Sequence, residues 1–175
     1  MMETNAEIWS DEIFQVLNMH RVKQVVYVPD SGHTRLIQKC HASNDINAVA
    51  LTTEEEGIAL LAGAWLGGQR GAILMQSSGV GNCINMLSLT RTCRFPLLMV
   101  ITMRGQWGEF NPWQVPMGQN TAPVLKLAGV LTFAVDHSSR LRDTVEAAAR
   151  MAFEGPAAAA VLISQQITGA KTFGK

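Results

Sequence analysis

Apolar and polar positions follow two alternating patterns along this chain. Short, mostly apolar runs, typical of strands buried on both faces, are separated by stretches in which apolar residues recur every three or four positions, typical of helices. The predicted strands are QVVYVP (24–29), INAVAL (46–51), GAILMQ (71–76), LLMVITM (97–103), VLTFAV (130–135) and AAAAVLIS (157–164). The predicted helices cover residues 5–20, 32–41, 54–66, 82–93, 121–129 and 138–155, and residues 104–120 are predicted to form an irregular loop.

This alternation predicts a doubly wound α/β fold with a six-stranded parallel sheet. Strands that are apolar on both faces need helices on both sides, and right-handed crossovers place them there. No linker or repeat interrupts the pattern, so we expect one domain over residues 1–168 and a loose tail over 169–175. Ligands of such folds bind at the carboxyl ends of the strands.

Composition narrows the function classes. The chain has 175 residues, 47% of them apolar and 16% charged, with zero net charge. No nucleic-acid surface is predicted from this balance. The acidic start MMETNAEIWSDEIFQVL is unlike a secretory signal. FPLLMVITM is roughly half the ~20 residues that cross a bilayer, so we expect no membrane contact.

Cysteine and histidine usage predicts a cytoplasmic protein without a metal site of its own. The number of cysteines is odd and no CxxC pair occurs, which argues against a disulfide framework and against structural zinc. The four histidines have no ligand spacing. These residues are Cys40, Cys83, Cys93, His20, His33, His41 and His137.

Polar or glycine-rich segments follow four of the predicted strands. They are VPDSGH (28–33), LTTEEEG (51–57), MQSSGVGN (75–82) and MRGQWGEFNPWQVPMGQ (103–119). Gly79 and Gly81 would allow a ligand to approach the backbone closely, although a generic tight turn explains them equally well. Neither GxGxxG nor GxxxxGK[ST] occurs, so no phosphate-binding motif is complete.

The charged and aromatic residues of these segments each allow a structural and a functional interpretation. Three glutamates at 54–56 favour the first turn of a helix, where acidic side chains are common. Arg104 offers a fork of donors to an anion or forms a surface ion pair. Two tryptophans, Trp107 and Trp113, anchor the loop or cover a partner surface. Turn formation equally explains Asp30, Ser31 and His33.

Three longer stretches together resemble a known family. EEEGIALLAGAWLGG, GAILMQSSGVGNCINML and LLMVITMRGQWGE with PWQVPMGQ resemble the pyrimidine-binding half of thiamine-diphosphate decarboxylases. The similarity is to the alpha subunits of sulfopyruvate decarboxylases and to the matching half of phosphonopyruvate decarboxylases. It extends from about Val25 to Val135, with the motifs in the same order.

The resemblance implies roles for individual residues. It places the glutamate that contacts N1′ of the aminopyrimidine at Glu55, where pressure against an apolar ring would raise the carboxyl pKa. Glu54 and Glu56 would then only begin the helix. The implied cofactor-binding set is Glu55, Gly79, Val80, Gly81 and Asn82, with Asn85 supporting the turn.

The implied substrate is a small anionic 2-oxo acid. Ser31, His33 and Arg104 are expected to bind it, and His33 departs from the family pattern, which makes it a candidate proton donor. The leading substrate is 3-sulfopyruvate, decarboxylated to sulfoacetaldehyde, and phosphonopyruvate is the alternative. A non-catalytic α/β assembly subunit is an interpretation from another class. A stand-alone nucleotide-binding domain is the weakest.

The resemblance also implies a partner. These enzymes hold the diphosphate through Mg²⁺ on a GDG motif with a downstream asparagine, and GDG does not occur in this sequence. We therefore expect a separate beta subunit that carries the diphosphate and the Mg²⁺, in a hetero-oligomer that shares thiamine diphosphate. Trp107, Trp113 and Met117 are the expected interface residues, because aromatic residues and Met are enriched in interface cores.

Overall fold

Strands and helices alternate along the whole described chain. The computed structural model describes the backbone of residues 5–169 and the side chains of residues 9–169. The strands are β1 (Val22–Tyr27), β2 (Asn47–Ala50), β3 (Arg70–Gln76), β4 (Leu97–Thr102), β5 (Leu131–Val135) and β6 (Ala158–Ile163). The helices are α1 (Asn5–Met19), α2 (Thr34–Ala42), α3 (Glu54–Leu66), α4 (Ser77–Cys83), α5 (Ser88–Thr92), α6 (Val115–Leu127), α7 (Leu141–Glu154) and α8 (Gln165–Thr168).

The six strands form one sheet in the order β2-β1-β3-β4-β6-β5. Every pair of neighbouring strands is parallel. The predicted fold class is confirmed, and both ends of each predicted strand lie within two residues of the ends of the observed strand. The central strands β4 and β6 are buried along their full length, which explains their continuous apolar sequence.

Helices cover both faces of the sheet and divide the core into two layers. Ala72 and Leu74 of β3 pack in the layer of α1, α2 and α7. The alternate residues Ile73 and Met75 pack in the layer of α3, α4 and α6. This alternation follows from the two-residue period of a strand, so a sheet buried on both sides needs apolar residues at every position.

The predicted loop over residues 104–120 is wrong in its second half. A 3₁₀ turn covers Pro112–Gln114, and α6 begins at Val115 rather than at residue 121. Proline and glycine near the start favoured a loop in the sequence. Pro116 lies at the beginning of the helix, where a missing N–H costs nothing. Gly118 lies against the carbonyl of Arg104, and any Cβ there would collide with it.

The predicted turn at SSGVGN is also wrong, because these residues form α4. The helix begins directly after β3 and ends at Cys83, and turns at residues 84–87 separate it from α5. The single helix predicted over residues 82–93 is therefore two shorter ones. Glycine at position 79 is required by close packing, since a Cβ there would collide with the carboxylate of Glu54.

Two further expectations concern the membrane and the tail. Among the described residues, no helix combines the length and the apolar character needed to cross a bilayer. The predicted tail falls almost entirely on residues 170–175, which lie outside the described residues. The single-domain boundary at residue 168 stays a prediction.

Replacing Leu97 by Ala tests the two-sided core. Leu97 begins β4 and is fully buried, so Leu97→Ala should lower the free energy of unfolding by about 2–5 kcal/mol. Leu127→Ala is the matched control, because Leu127 is 85% exposed and its truncation should change stability by less than about 0.5 kcal/mol. Urea unfolding followed by circular dichroism measures both, and equal effects would contradict the assigned burial.

Candidate functional site

The carboxyl ends of β1, β3 and β4 meet at one edge of the sheet. The chain leaves β1 toward β2, whereas β3 lies on the other side of β1, so the strand order reverses at this point. Parallel sheets bind ligands at such reversals. A cavity of about 70 Å³ lies there, which we name the strand-end cavity. It is lined by Asp30, Ser31, Gly32, Gln76, Thr102, Met103, Arg104, Thr168 and Gly169.

A larger groove lies elsewhere on the molecule. Its volume is about 530 Å³, and Phe14, Arg21 and Lys39 line it at the amino end of β1. The groove is open to solvent and lies away from the strand ends where ligands of parallel sheets bind. The strand-end cavity is therefore the stronger candidate despite its smaller volume.

Hydrogen bonds tie the three strand ends together around Asp30. Thr102 Oγ1 donates to Asp30 Oδ2 at 2.6 Å, and Gln76 Nε2 donates to Asp30 Oδ1 at 3.2 Å. Ser78 Oγ in turn donates to Gln76 Oε1 at 2.9 Å. Asp30 follows β1, Gln76 ends β3 and Thr102 ends β4, so one carboxylate links the loops that form the cavity.

Glu54 is the buried carboxylate of the glutamate run. Its exposed fraction is 8%, and its Oε2 accepts a hydrogen bond of 2.8 Å from Asn82 Nδ2. Glu54 begins α3, where the free N–H groups of the first turn favour an acidic side chain. Gly79 of α4 lies directly against the carboxylate. The first turns of two helices therefore enclose this group.

Glu55 lies on a different side of α3 from Glu54. It is half-buried, and the Thr53 hydroxyl donates to its Oε2. That hydrogen bond lowers the pKa of Glu55, whereas the sequence-based assignment required a raised pKa. Of the two neighbouring carboxylates, Glu54 is thus the buried one and Glu55 the more exposed one, and the role of Glu55 stays a prediction. Glu56 accepts from the backbone N–H of Thr52 at 3.0 Å, as expected of a helix start.

The other predicted cofactor residues lie on or just after α4. Gly79 and Asn82 contact Glu54. Val80 is 1% exposed and packs in the core. Gly81 is half-buried, and a Cβ there would lie 3.3 Å from the sulfur of Met117.

Asn85 lies outside this group. It is exposed, and its carbonyl accepts a hydrogen bond of 3.2 Å from the N–H of Ser88. That bond closes the turn between α4 and α5. Asn85 therefore supports the turn that follows α4, whereas the prediction placed it in support of SSGVGN.

The prediction that His33 lines the site is wrong. The residue is fully buried, and its Nε2 lies 3.3 Å from the carbonyl of Met75. Its ring packs edge-on to Trp9 at a centroid distance of 6.3 Å. Desolvation lowers the pKa of His33, so the ring is neutral. Ser31, by contrast, is exposed and lines the strand-end cavity, and its contact with a substrate stays a prediction.

Arg104 lines the cavity, but its guanidinium is paired with Glu109. Nε and Nη2 donate to the two carboxylate oxygens of Glu109 at 2.5 and 2.6 Å. The prediction of a fork open to an anionic substrate is therefore wrong. This ion pair lowers the pKa of Glu109 from 4.5 to about 2. The side chains of Arg104 and Glu109 are 11% and 3% exposed.

Sequence reasoning missed three residues that organise the site. Glu54 differs from its neighbours only through its contacts with α4, which is distant in sequence. Glu109 stands five residues after Arg104, but this spacing does not distinguish a buried ion pair from an exposed one. Gln165 follows β6 and is fully buried, and its only sequence signal is a polar residue directly after an apolar strand.

The aromatic residues of the 104–120 region are partly exposed. The exposed fraction is 52% for Trp107, 37% for Phe110 and 83% for Trp113. Met117 is half-buried beside Gly81. Among the described residues, no group of three or more His, Cys, Asp or Glu side chains is placed to hold a metal ion.

The Glu109 ion pair predicts a specific acid sensitivity. A carboxyl whose pKa is lowered on folding stabilises the fold above its unfolded value, and this contribution disappears as the pH falls from about 4.5 to about 2. The difference in unfolding free energy between the wild type and Glu109→Gln should therefore shrink by about 2–3 kcal/mol over this range. Urea titrations between pH 5 and pH 2 measure it, and a constant difference would contradict the pairing.

Comparisons with known proteins agree with this fold. Residues 9–111 match the family model described as "Thiamine pyrophosphate enzyme, N-terminal TPP binding domain". A solved structure of 2-oxoglutarate:ferredoxin oxidoreductase from Magnetococcus marinus superposes with a TM-score of 0.72 at 15% identity. That superposition covers 91% of this chain and 29% of the other, and it supports the fold alone.

Curated relatives give the same assignment. Sulfopyruvate decarboxylase subunit alpha of Methanococcus maripaludis is 35% identical over 126 residues, which cover 71% of this chain and 75% of that protein. The subunit of the same name in Methanocaldococcus jannaschii is 34% identical over 69% of this chain and 72% of its own. Phosphonopyruvate decarboxylase of Streptomyces viridochromogenes is 39% identical over 61% of this chain and 27% of that protein. With the resemblance confirmed, the chain belongs to the thiamine pyrophosphate enzymes, in the family of their N-terminal cofactor-binding domain.

Proposed function

We propose that this chain is the pyrimidine-binding alpha subunit of a two-subunit, thiamine-diphosphate-dependent decarboxylase. Its proposed substrate is 3-sulfopyruvate, which would be converted to sulfoacetaldehyde and CO₂. The single observation that carries the proposal is Glu54, a buried carboxylate at a strand end that is oriented by Asn82 and packed against Gly79. A subunit kept only as a scaffold has no need for this arrangement.

The residues around Glu54 fit an aminopyrimidine ring. The carboxylate supplies an acceptor for a ring nitrogen that carries a proton, and glycine at position 79 lets the carboxylate lie directly against α4. Met117 contributes an apolar sulfur next to Gly81. A flat heterocycle with one protonated nitrogen would pair with an acidic group beside such an apolar neighbour.

Three residues of this chain have separate roles in the proposed reaction. Bound thiamine diphosphate supplies the electron sink for the decarboxylation. Glu54 holds the proton that N1′ of the pyrimidine shares, and Asn82 Nδ2 keeps Oε2 in a fixed orientation. Ser31, exposed at the cavity, is the remaining candidate on this chain for contact with the substrate.

A partner subunit is part of the proposal. The strand-end cavity of about 70 Å³ is far below the roughly 300 Å³ of a typical cofactor pocket, so this chain offers only one wall of a site. We propose that a beta subunit with GDG and a downstream asparagine supplies the other wall, the diphosphate contacts and the Mg²⁺. The relatives named as alpha subunits support this division.

Phosphonopyruvate is the alternative substrate, because two relatives are named phosphonopyruvate decarboxylases and carry the matching segment. We also place the enzyme in the cytoplasm, since Cys40, Cys83 and Cys93 are all free thiols. Release of CO₂ by the assembled subunits, measured with 3-sulfopyruvate and with phosphonopyruvate in parallel, distinguishes the two substrates. Absence of turnover with either, in a complex that binds thiamine diphosphate, would overturn the decarboxylase assignment.

Substitution of the two adjacent glutamates tests which carboxylate acts. Glu54→Gln should lower kcat of the assembled enzyme by about 100-fold or more, because an amide cannot hold the proton that the pyrimidine shares. Glu55→Gln is the matched control and should keep turnover within about threefold, since Glu55 contacts Thr53. Steady-state kinetics on both variants decide the matter. The reverse pattern would restore the assignment to Glu55.

Truncation of an exposed tryptophan tests the partner surface. Trp113→Ala should weaken binding of the beta subunit by about tenfold or more, because aromatic residues at an interface contribute most when buried by the partner. Stability of the isolated chain should not change. Met151→Ala on α7, which covers the opposite face of the sheet, is the control. Analytical ultracentrifugation or calorimetric titration measures the affinities, and equal affinities would exclude Trp113 from the interface.

A further inference from the structure

Glu109 is the centre of a dense hydrogen-bond network beside the strand-end cavity. Its carboxylate accepts from Arg104 Nε and Nη2, from the backbone N–H groups of Gly105 and Asn111, and from Gln165 Nε2. The last three bonds measure 3.2, 3.0 and 3.0 Å. Five donors around one carboxylate that is 3% exposed balance its burial, so the group stays ionised as a fixed anchor.

A second anchor holds the same loop, residues 103–111, from the other side. Gln165 Oε1 accepts from the backbone N–H groups of Gln106 and Trp107 at 3.0 and 3.1 Å. The side chain of Gln106 donates to Ser164 Oγ at 2.7 Å. Because Gln165 also donates to Glu109, the two anchors are joined into one network. The loop is therefore attached to the end of β6 as well as to itself.

The backbone of Arg104 connects this network to α4. Its N–H donates to Ser77 Oγ at 3.0 Å, and Ser77 Oγ donates to the carbonyl of Arg104 at 3.3 Å. Ser77 is fully buried and begins α4, the helix that carries Gly79 and Asn82 to Glu54. A short path of direct contacts thus runs from Glu109 through Arg104 and Ser77 to the helix that encloses Glu54.

We propose that Arg104 and Glu109 form a positioning pair, which fixes loop 103–111 and, through Ser77, the first turn of α4 against Glu54. Arg104 then acts through Glu109 and does not bind the anionic group of the substrate. The inference rests on the proposed function, because it assigns Arg104 a role in the same site. Using the guanidinium on the substrate would instead leave a buried carboxylate without its main partner.

The test compares three variants with a matched control. Arg104→Gln, Glu109→Gln and the double variant each break the pair. Arg35→Gln is the control, since Arg35 also holds a carboxylate through two hydrogen bonds, to Asp11 at 2.9 and 3.0 Å, but on the layer of α1 and α2. If a glutamine variant fails to fold, Arg104→Lys is tested in its place. Lysine keeps a charge contact with Glu109 but cannot form the two parallel hydrogen bonds of arginine.

The first readout needs neither substrate nor partner. Amide hydrogen exchange by NMR on the full chain should become about tenfold faster or more at Gly105 and Asn111 in each variant that breaks the pair, because their N–H groups bond to Glu109. Exchange in the Arg35→Gln control should match the wild type at these amides. Unchanged exchange in Arg104→Gln would overturn the proposal whether or not the chain is a decarboxylase.

The second readout separates positioning from substrate binding in the assembled enzyme. We expect kcat to fall about tenfold in both single variants, with KM for 3-sulfopyruvate within about threefold and the double variant no worse than either single one. Two competitive inhibitors extend this test: 3-sulfopropanoate, which carries a sulfonate, and butanoate, which carries none. The ratio of their inhibition constants should be the same in the variants as in the wild type. A large KM increase confined to Arg104→Gln, with lost preference for 3-sulfopropanoate, would show direct anion binding. Lower stability with unchanged kcat would show a merely structural pair, and either result overturns the proposal.

Discussion

The parallel pairing of β3 with β1 on one side and β4 on the other is the constraint on which the site depends. The carboxyl ends of parallel strands lie at the same edge of a sheet, so strand pairing alone brings together the segments that follow all three strands. Both faces of the sheet are buried by helices, which leaves the strand ends as the region where polar side chains collect. Gln76 and Thr102 both donate to Asp30 there, because β1, β3 and β4 are consecutive in the sheet and end at the same edge.

Two buried carboxylates at this edge lie in different environments. Glu109 accepts five hydrogen bonds and has a pKa of about 2, so its charge is locked and its effect is mechanical. Glu54 is bonded to Asn82 and lies against Gly79 of α4. Ion pairing and multiple donors suit an anchor, which is the role that we propose for Glu109.

Loop 103–111 combines a backbone fixed by hydrogen bonds with partly exposed aromatic side chains. Loop 103–111 is bonded to β6, to α4 and to its own glutamate, yet Trp107 and Phe110 remain partly exposed. Aromatic side chains on a fixed backbone lose little conformational freedom when a partner covers them. The strand-end cavity, which Met103 and Arg104 of the same loop help to line, would then be one wall of the site that we propose two chains complete.

The sequence by itself determined the elements and their class, because the strand period and the helix period are local properties of neighbouring residues. All six strands and the start of α3 at the glutamates followed from it, and the same pattern predicts a site at the strand ends. Only the tertiary structure decided which glutamate is buried, that His33 lies in the core, and that Arg104 is already paired. These outcomes depend on contacts between residues far apart in sequence, such as Glu54 with Asn82, and a one-residue difference along a helix turns a side chain by about 100°.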